Sequence, residues 1–190
     1  LEFGRAIAGA ASACHFFVFA IASVMVFPAL FFPLMPGWFG TLFALSLLAV
    51  CAIAWPLGVM LRGVLQRRLG PAVARGGAQA LLGASTVGVA LLPEGGGTVD
   101  VAMLGLCHVG LGMAQGGLTE AGRPRPLAPL AVALGLLLAL GLYALPWTQL
   151  AHADFMSWGW RYAFVAALPI GIVALFARLR LAAEAAQRPA

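Results

Sequence analysis

The chain has 190 residues, of which 63% are hydrophobic and only 9% charged. A soluble domain carries roughly 25% charged residues, so this chain cannot cover a water-facing surface, and lipid must take the place of charge. The net charge of +5 comes from arginine alone, since lysine is absent. No basic stripe or stacking platform accompanies it, which excludes a nucleic-acid partner.

A hydrocarbon core of about 30 Å needs roughly 20 apolar residues in a helix. Six stretches meet or approach that length: residues 6–27 (ending at Pro28), 38–61, 72–92 (weaker and glycine-containing), 98–118, 127–145 and 162–179. The runs are continuous and do not alternate with period two, so helices are indicated, not strands. The expected fold is an all-α integral membrane protein, one domain over residues 1–190. Residue 1 is leucine and no signal-peptide pattern precedes the first span, so the chain reads as trimmed at its start or as part of something longer.

Six alternating spans sort the arginines. Arg5, then Arg62, Arg67, Arg68 and Arg75, then Arg123 and Arg125, then Arg178, Arg180 and Arg188 fall on one side. Arg161 falls on the other, with Glu94, Asp100 and Asp154. Ten arginines against one predict a multi-pass inner-membrane protein with both termini cytoplasmic. Phe31, Phe32, Trp38 and Phe39 flank the first external turn, and Trp147, Trp158, Trp160 and Tyr162 flank the last, as headgroup-level anchors do.

Few residues could carry chemistry. Cys14, Cys51 and Cys107 all fall in apolar segments, which is no disulfide framework. Ser12, Ser23, Ser46 and Ser85 lack acidic partners, and His152 with Asp154 reads as a solvated external turn, so no enzyme is expected. Gly95-Gly96-Gly97 lacks the following Lys-Ser or Lys-Thr of a phosphate loop. Gly105, Gly110, Gly112, Gly116 and Gly117 give the fourth span small faces suited to close helix packing. Two pairs remain: Cys14-His15 in span one and Cys107-His108 in span four, each roughly 14–15 Å deep. Imidazole and thiolate, with Met25, Met103 or Met113, could hold copper, or the histidines could serve haem. The stronger reading is packing: a histidine between helices serves as a hydrogen-bond partner and the adjacent cysteine as a small packing residue, with contact to a partner subunit or bound lipid next.

Several stretches resemble the metabolite:proton symporters of the major facilitator superfamily. Phe16-Phe17-Val18-Phe19 and Leu30-Phe31-Phe32-Pro33 are similar to the first helix and its exit, and Ala49-Val50 with Pro56-Leu57-Gly58 to the second. The most specific match is Phe155-Met156-Ser157-Trp158-Gly159-Trp160-Arg161, followed by a helix ending Ala177-Arg178-Leu179-Arg180-Leu181, which resembles the sixth. The resemblance implies the family's amino-terminal six helices: two three-helix repeats of inverted topology, a 3+3 bundle with the solute path beside helices one and four. It would place the two Cys-His pairs at comparable positions facing one cavity. In this family a second six-helix half completes the path.

The chain departs from the family in its charges. The loop between helices two and three keeps Gly63, Arg68 and Gly70 in register, but the acidic position is Arg67, and two later basic positions are Pro71 and Ala72. Arg67 would repel the partners that an acid there would latch. The Glu-Trp-Tyr-Asp run of the first helix corresponds to Ser12, Ala13, Cys14 and His15, and the charged part of the fourth to Gly105-Leu106-Cys107-His108-Val109-Gly110. With no Asp, Glu, Lys or Arg well inside a span, proton coupling lacks its titrating carboxylate. The expectation is a transport-incompetent accessory or assembly subunit of a larger membrane complex, packed against other integral membrane subunits and bound lipid. The alternative is a solute transporter completed by homodimerisation or by a second six-helix half. Copper or haem handling is a third reading, and no other cofactor is implied.

Overall fold

The computed structural model describes residues 2–35, 37–93, 96–119 and 126–186, with the backbone alone at Glu2 and residues 181–186. Glu94, Gly95, Glu120, Arg123, Arg125 and Arg188 lie outside the described residues. In chain order the helices are α1 (Glu2–Met25), α2 (Phe27–Phe31), α3 (Gly37–Leu69), α4 (Pro71–Ala90), α5 (Thr98–Leu118), α6 (Ala128–Gln149), α7 (His152–Asp154) and α8 (Arg161–Ala186), with a π-helical segment at Phe155–Gly159 before α8.

Five of these helices, α1, α3, α5, α6 and α8, are long and apolar enough to cross a membrane. The sixth long helix, α4, has the length but falls short in hydropathy, because Arg75, Gln79, Ser85 and Thr86 interrupt it. It packs on α3, α5 and α8, and Gln79, Ser85 and Thr86 are buried there. Pro28 does not end the first helical segment. The chain turns at Val26 and restarts as α2, with the proline in its first turn, where a missing N–H removes no helical bond. The second span overruns its predicted end at residue 61. α3 continues to Leu69, about 50 Å in all, because its last turns are built from good helix formers and need no lipid. Gly70 then reverses the chain at φ +88°, a conformation that a side chain would strain, and Pro71 opens α4.

α1 packs most extensively on α6 and α3 on α5, while α8 bridges α1 and α4. Consecutive long helices alternate in direction. Arg5, Arg62, Arg67, Arg68, Arg75, Arg178 and Arg180 therefore share one end, and Arg161 sits at the other with Asp100 and Asp154. The core is densest near the Arg161 end, where Phe19, Phe27, Phe31, Phe155, Trp160 and Phe164 are fully buried.

The segment Phe155–Arg161 fastens that end. Arg161 lies over the Trp160 ring, 4.7 Å from its centroid. Its Nε donates to the Ala90 carbonyl at 2.9 Å, Nη2 to Leu92 at 2.8 Å and Nη1 to Ser157 at 2.8 Å. The last carbonyls of a helix have no intrahelical donor and carry its negative pole, so a guanidinium fork is well matched to the end of α4. Arg161→Ala is expected to cost about 3 kcal/mol of stability, read as a lowered unfolding midpoint in detergent. Arg180→Ala, at an exposed position, is the control; equal stability of the two variants would refute the clamp.

Candidate solute cavity

A cavity of about 650 Å³ opens among α1, α3, α5, α6 and α8 toward the arginine-rich end. Its α1 wall is the helical face Arg5, Gly9, Ser12, Ala13 and Phe16, where residues three and four apart align. Phe16, Phe17 and Trp55 make it largely apolar and aromatic, while Ser12, Gln115, Thr119, Arg5 and Arg178 supply polar groups. On α3, Pro56 has no N–H, which deprives the carbonyl of cavity-lining Ala52 of its usual helical donor.

The polar side is organised around Ser12. Arg178 is only 5% exposed. Its Nη2 donates to the Ser12 hydroxyl at 2.7 Å and to the Ala8 carbonyl at 2.8 Å, and its Nη1 to Leu118 at 3.4 Å. Gln115 Nε2 donates to the Ser12 carbonyl at 2.7 Å, and Thr119 Oγ1 to the Gln115 carbonyl at 2.9 Å. One serine on α1 thus receives donors from α5 and α8. A buried guanidinium over an aromatic-walled cavity gives the site a positive potential and hydrogen-bonding capacity beside an apolar lining.

The Cys-His pairs do not face this cavity. Of the three cysteines only Cys51 lines it. His15 is 1% exposed and its Nδ1 bonds the Ala11 carbonyl at 2.9 Å. Its ring edge lies against Gly171 of α8 and near Gln79 of α4. His108 is fully buried, with Nδ1 on the Leu104 carbonyl at 2.9 Å and the rings of Phe19 and Phe27 edge-on at 5.1 and 5.9 Å. Cys107 sits against Gly88 of α4, and Cys14 is fully buried in the core. The expectation of one shared cavity therefore fails, because Cys14-His15 and Cys107-His108 point into helix contacts and Ser12 and Gln115 take the cavity face. Among the described residues no three His, Cys, Asp or Glu side chains gather as a metal site would need.

His108 Nε2 is buried without a partner. His108→Leu gives up the Nδ1 bond to the Leu104 carbonyl but also removes a buried nitrogen that has no partner, two effects of opposite sign. It should therefore change stability by less than about 1 kcal/mol and leave any bound metal, measured by mass spectrometry, unchanged. Loss of metal in that variant would restore a ligand role. The loop residues divide: Gly63, Arg67 and Arg68 belong to the last turns of α3, with both arginines exposed, and Gly70 makes the turn.

Arg178 was legible in sequence only as a tail arginine, and nothing in the spacing distinguishes it from Arg180. Ser12 and Gln115 are polar residues on cavity-facing sides of apolar helices, a signal that helical spacing could have exposed.

The fold is that of a multi-pass, all-helical membrane protein with a cavity open among its helices. The chain is 32% identical over 183 residues to an inner membrane metabolite transport protein of Escherichia coli K12, YhjE, covering 87% of this chain and 41% of that protein. It is 31% and 30% identical to two Haemophilus influenzae proteins named as putative metabolite transport proteins, over 87% of this chain and 40% and 42% of theirs. The resemblance to metabolite transporters read from the motifs is thereby borne out. The chain spans about two fifths of the length of these relatives. No protein-family model and no solved structure matches it.

Proposed function

We propose that the chain forms the amino-terminal six-helix half of a solute transporter of the major facilitator type, with both ends on the cytoplasmic side of the inner membrane. The observation that carries this reading is the cavity walled by α1, α3, α5 and α6, with Arg178 buried in its lining. Its size suits a small organic solute, and its mixed apolar and cationic wall suits one with a polar or anionic group. The helix pairing supports the 3+3 inverted repeat. Exchanging α1, α3 and α4 for α5, α6 and α8 carries the α1–α6 contact onto α5–α3, and the α1–α8 contact onto α5–α4, and all four contacts are extensive. The gathering of arginines at one end supports the orientation.

The second reading is a transport-incompetent accessory or assembly subunit of a larger membrane complex. One observation favours it: the acidic latch position between the second and third long helices is occupied by the exposed Arg67.

Thiol labelling separates the two. In inside-out membrane vesicles, the variants Ser12→Cys and Gln115→Cys, at half-buried cavity positions, should react with an impermeant maleimide, whereas the buried Cys14, Cys51 and Cys107 should not. Labelling of Ser12→Cys that a transported metabolite suppresses supports the path. A cavity that never labels, in a protein copurifying with other membrane subunits, supports the scaffold.

A further inference from the structure

A second crevice, of about 140 Å³, lies between α3 and α4 at the arginine-rich end. Its walls are matched helical faces: Gly58, Arg62 and Leu65 on α3, Gly77 and Leu81 on α4, with Met113 of α5 as the floor. Everything in it is apolar except Arg62. The Nε of Arg62 is buried and has no hydrogen-bond partner.

The surrounding charge is one-sided. Arg62, Arg67, Arg68 and Arg75 stand within one helical hairpin, and no acidic residue occurs anywhere between residues 37 and 93. Among the described residues none of the four makes an ion pair, and the one hydrogen bond of the group runs from Arg75 Nε to the Pro71 carbonyl at 3.2 Å. A buried guanidinium nitrogen without a partner is costly, and four like charges at a membrane surface call for anions. The ligand must also be apolar, since the crevice offers nothing else to bond.

We infer that this crevice binds an anionic phospholipid, with the headgroup phosphate on Arg62 and the start of an acyl chain lying over Gly77 between α3 and α4. Arg67, Arg68 and Arg75 form the basic collar that attracts it. A basic residue at a membrane surface favours an anionic lipid by about 1 kcal/mol, or roughly fivefold. The inference needs only the membrane reading of the helices and is independent of whether the larger cavity transports anything.

Gly77 supplies the decisive variant. A Cβ there meets no atom within 4 Å, and leucine is a better helix former than glycine, so Gly77→Leu fills the crevice without disturbing the helix. The purified chain in mild detergent is mixed with equal amounts of phosphatidylglycerol and phosphatidylcholine, and retained lipid is counted by native mass spectrometry. The unaltered chain should retain phosphatidylglycerol at least about fivefold over phosphatidylcholine. Arg62→Gln should lower the ratio about fivefold, Gly77→Leu should lower retention of both lipids, and Arg180→Gln, at an exposed position outside the crevice, should change neither. If Arg62→Gln does not fold, Gly77→Leu carries the test alone. Equal retention of the two lipids by the unaltered chain, or undiminished retention by Gly77→Leu, overturns the inference. So does millimolar inorganic phosphate that removes the lipid preference, because the site would then belong to a soluble anion.

Discussion

Replacing Gly112 and Gly116 together by alanine is expected to lower the unfolding free energy in detergent by about 4 kcal/mol, the middle of what overpacking two sites costs. α5 meets α3 through these glycines. A Cβ at Gly112 would fall on the Cys51 carbonyl oxygen, and one at Gly116 on the Trp55 carbonyl oxygen, one helical turn further along α3. From the α3 side, a Cβ at Gly58 would strike the Met113 carbonyl. The obstructing atoms are backbone, so no side chain can swing aside and the helices must separate. In a bilayer, helix association rests on such close van der Waals packing, because lipid is as apolar as the protein surface. Gly63→Ala and Gly141→Ala are the controls. Neither Cβ would meet an atom within 4 Å, so each should be neutral or stabilising by up to about 1 kcal/mol. Thermal unfolding followed by tryptophan fluorescence separates the two classes. A double variant as stable as the controls would show that α3 and α5 do not approach this closely.

That interface explains why the fourth span was the most legible element. Thr98–Leu118 occupies the predicted residues 98–118, because Asp100 marks its start by accepting from the Gly97 N–H at 3.2 Å, and its glycines mark the buried face. Hydropathy reads the lipid-facing length of a helix and nothing beyond it. It therefore stopped α3 eight residues early and rated α4 as weak, since α4 buries Gln79, Ser85 and Thr86 against protein. The site was less legible than the fold. Span depth placed His15 and His108 correctly in the interior, but depth says nothing about which way a side chain points. His15 turns toward α4 and α8, and His108 into an aromatic contact with Phe19 and Phe27. The arginines show the same limit more sharply. A charge count reads each as a sign for one side of the membrane, whereas Arg161 and Arg178, near the two ends of α8, use their forks to hold the carbonyl ends of α4 and α5.

For Arg178, that fork predicts more than a loss of charge. Arg178→Gln should cost about 3 kcal/mol, since hydrogen bonds to a charged group contribute roughly 1.5–3 kcal/mol each and the Ala8 and Ser12 bonds are both short. Arg178→Lys should recover less than half of this, because one ammonium cannot span acceptors on α1 and α5 as a planar guanidinium does. Ser12→Ala removes one acceptor and should cost about 1 kcal/mol. Combining it with Arg178→Gln should give less than the sum, as partners in one network do. If Arg178 is also the cation of the solute path, Arg178→Gln should abolish the suppression by metabolite of Ser12→Cys labelling, while Arg161→Ala, a comparable loss of stability at the far end of α8, should keep it. Additive effects of the Ser12 and Arg178 substitutions would dissolve the network. Full suppression in Arg178→Gln would confine this arginine to joining helices.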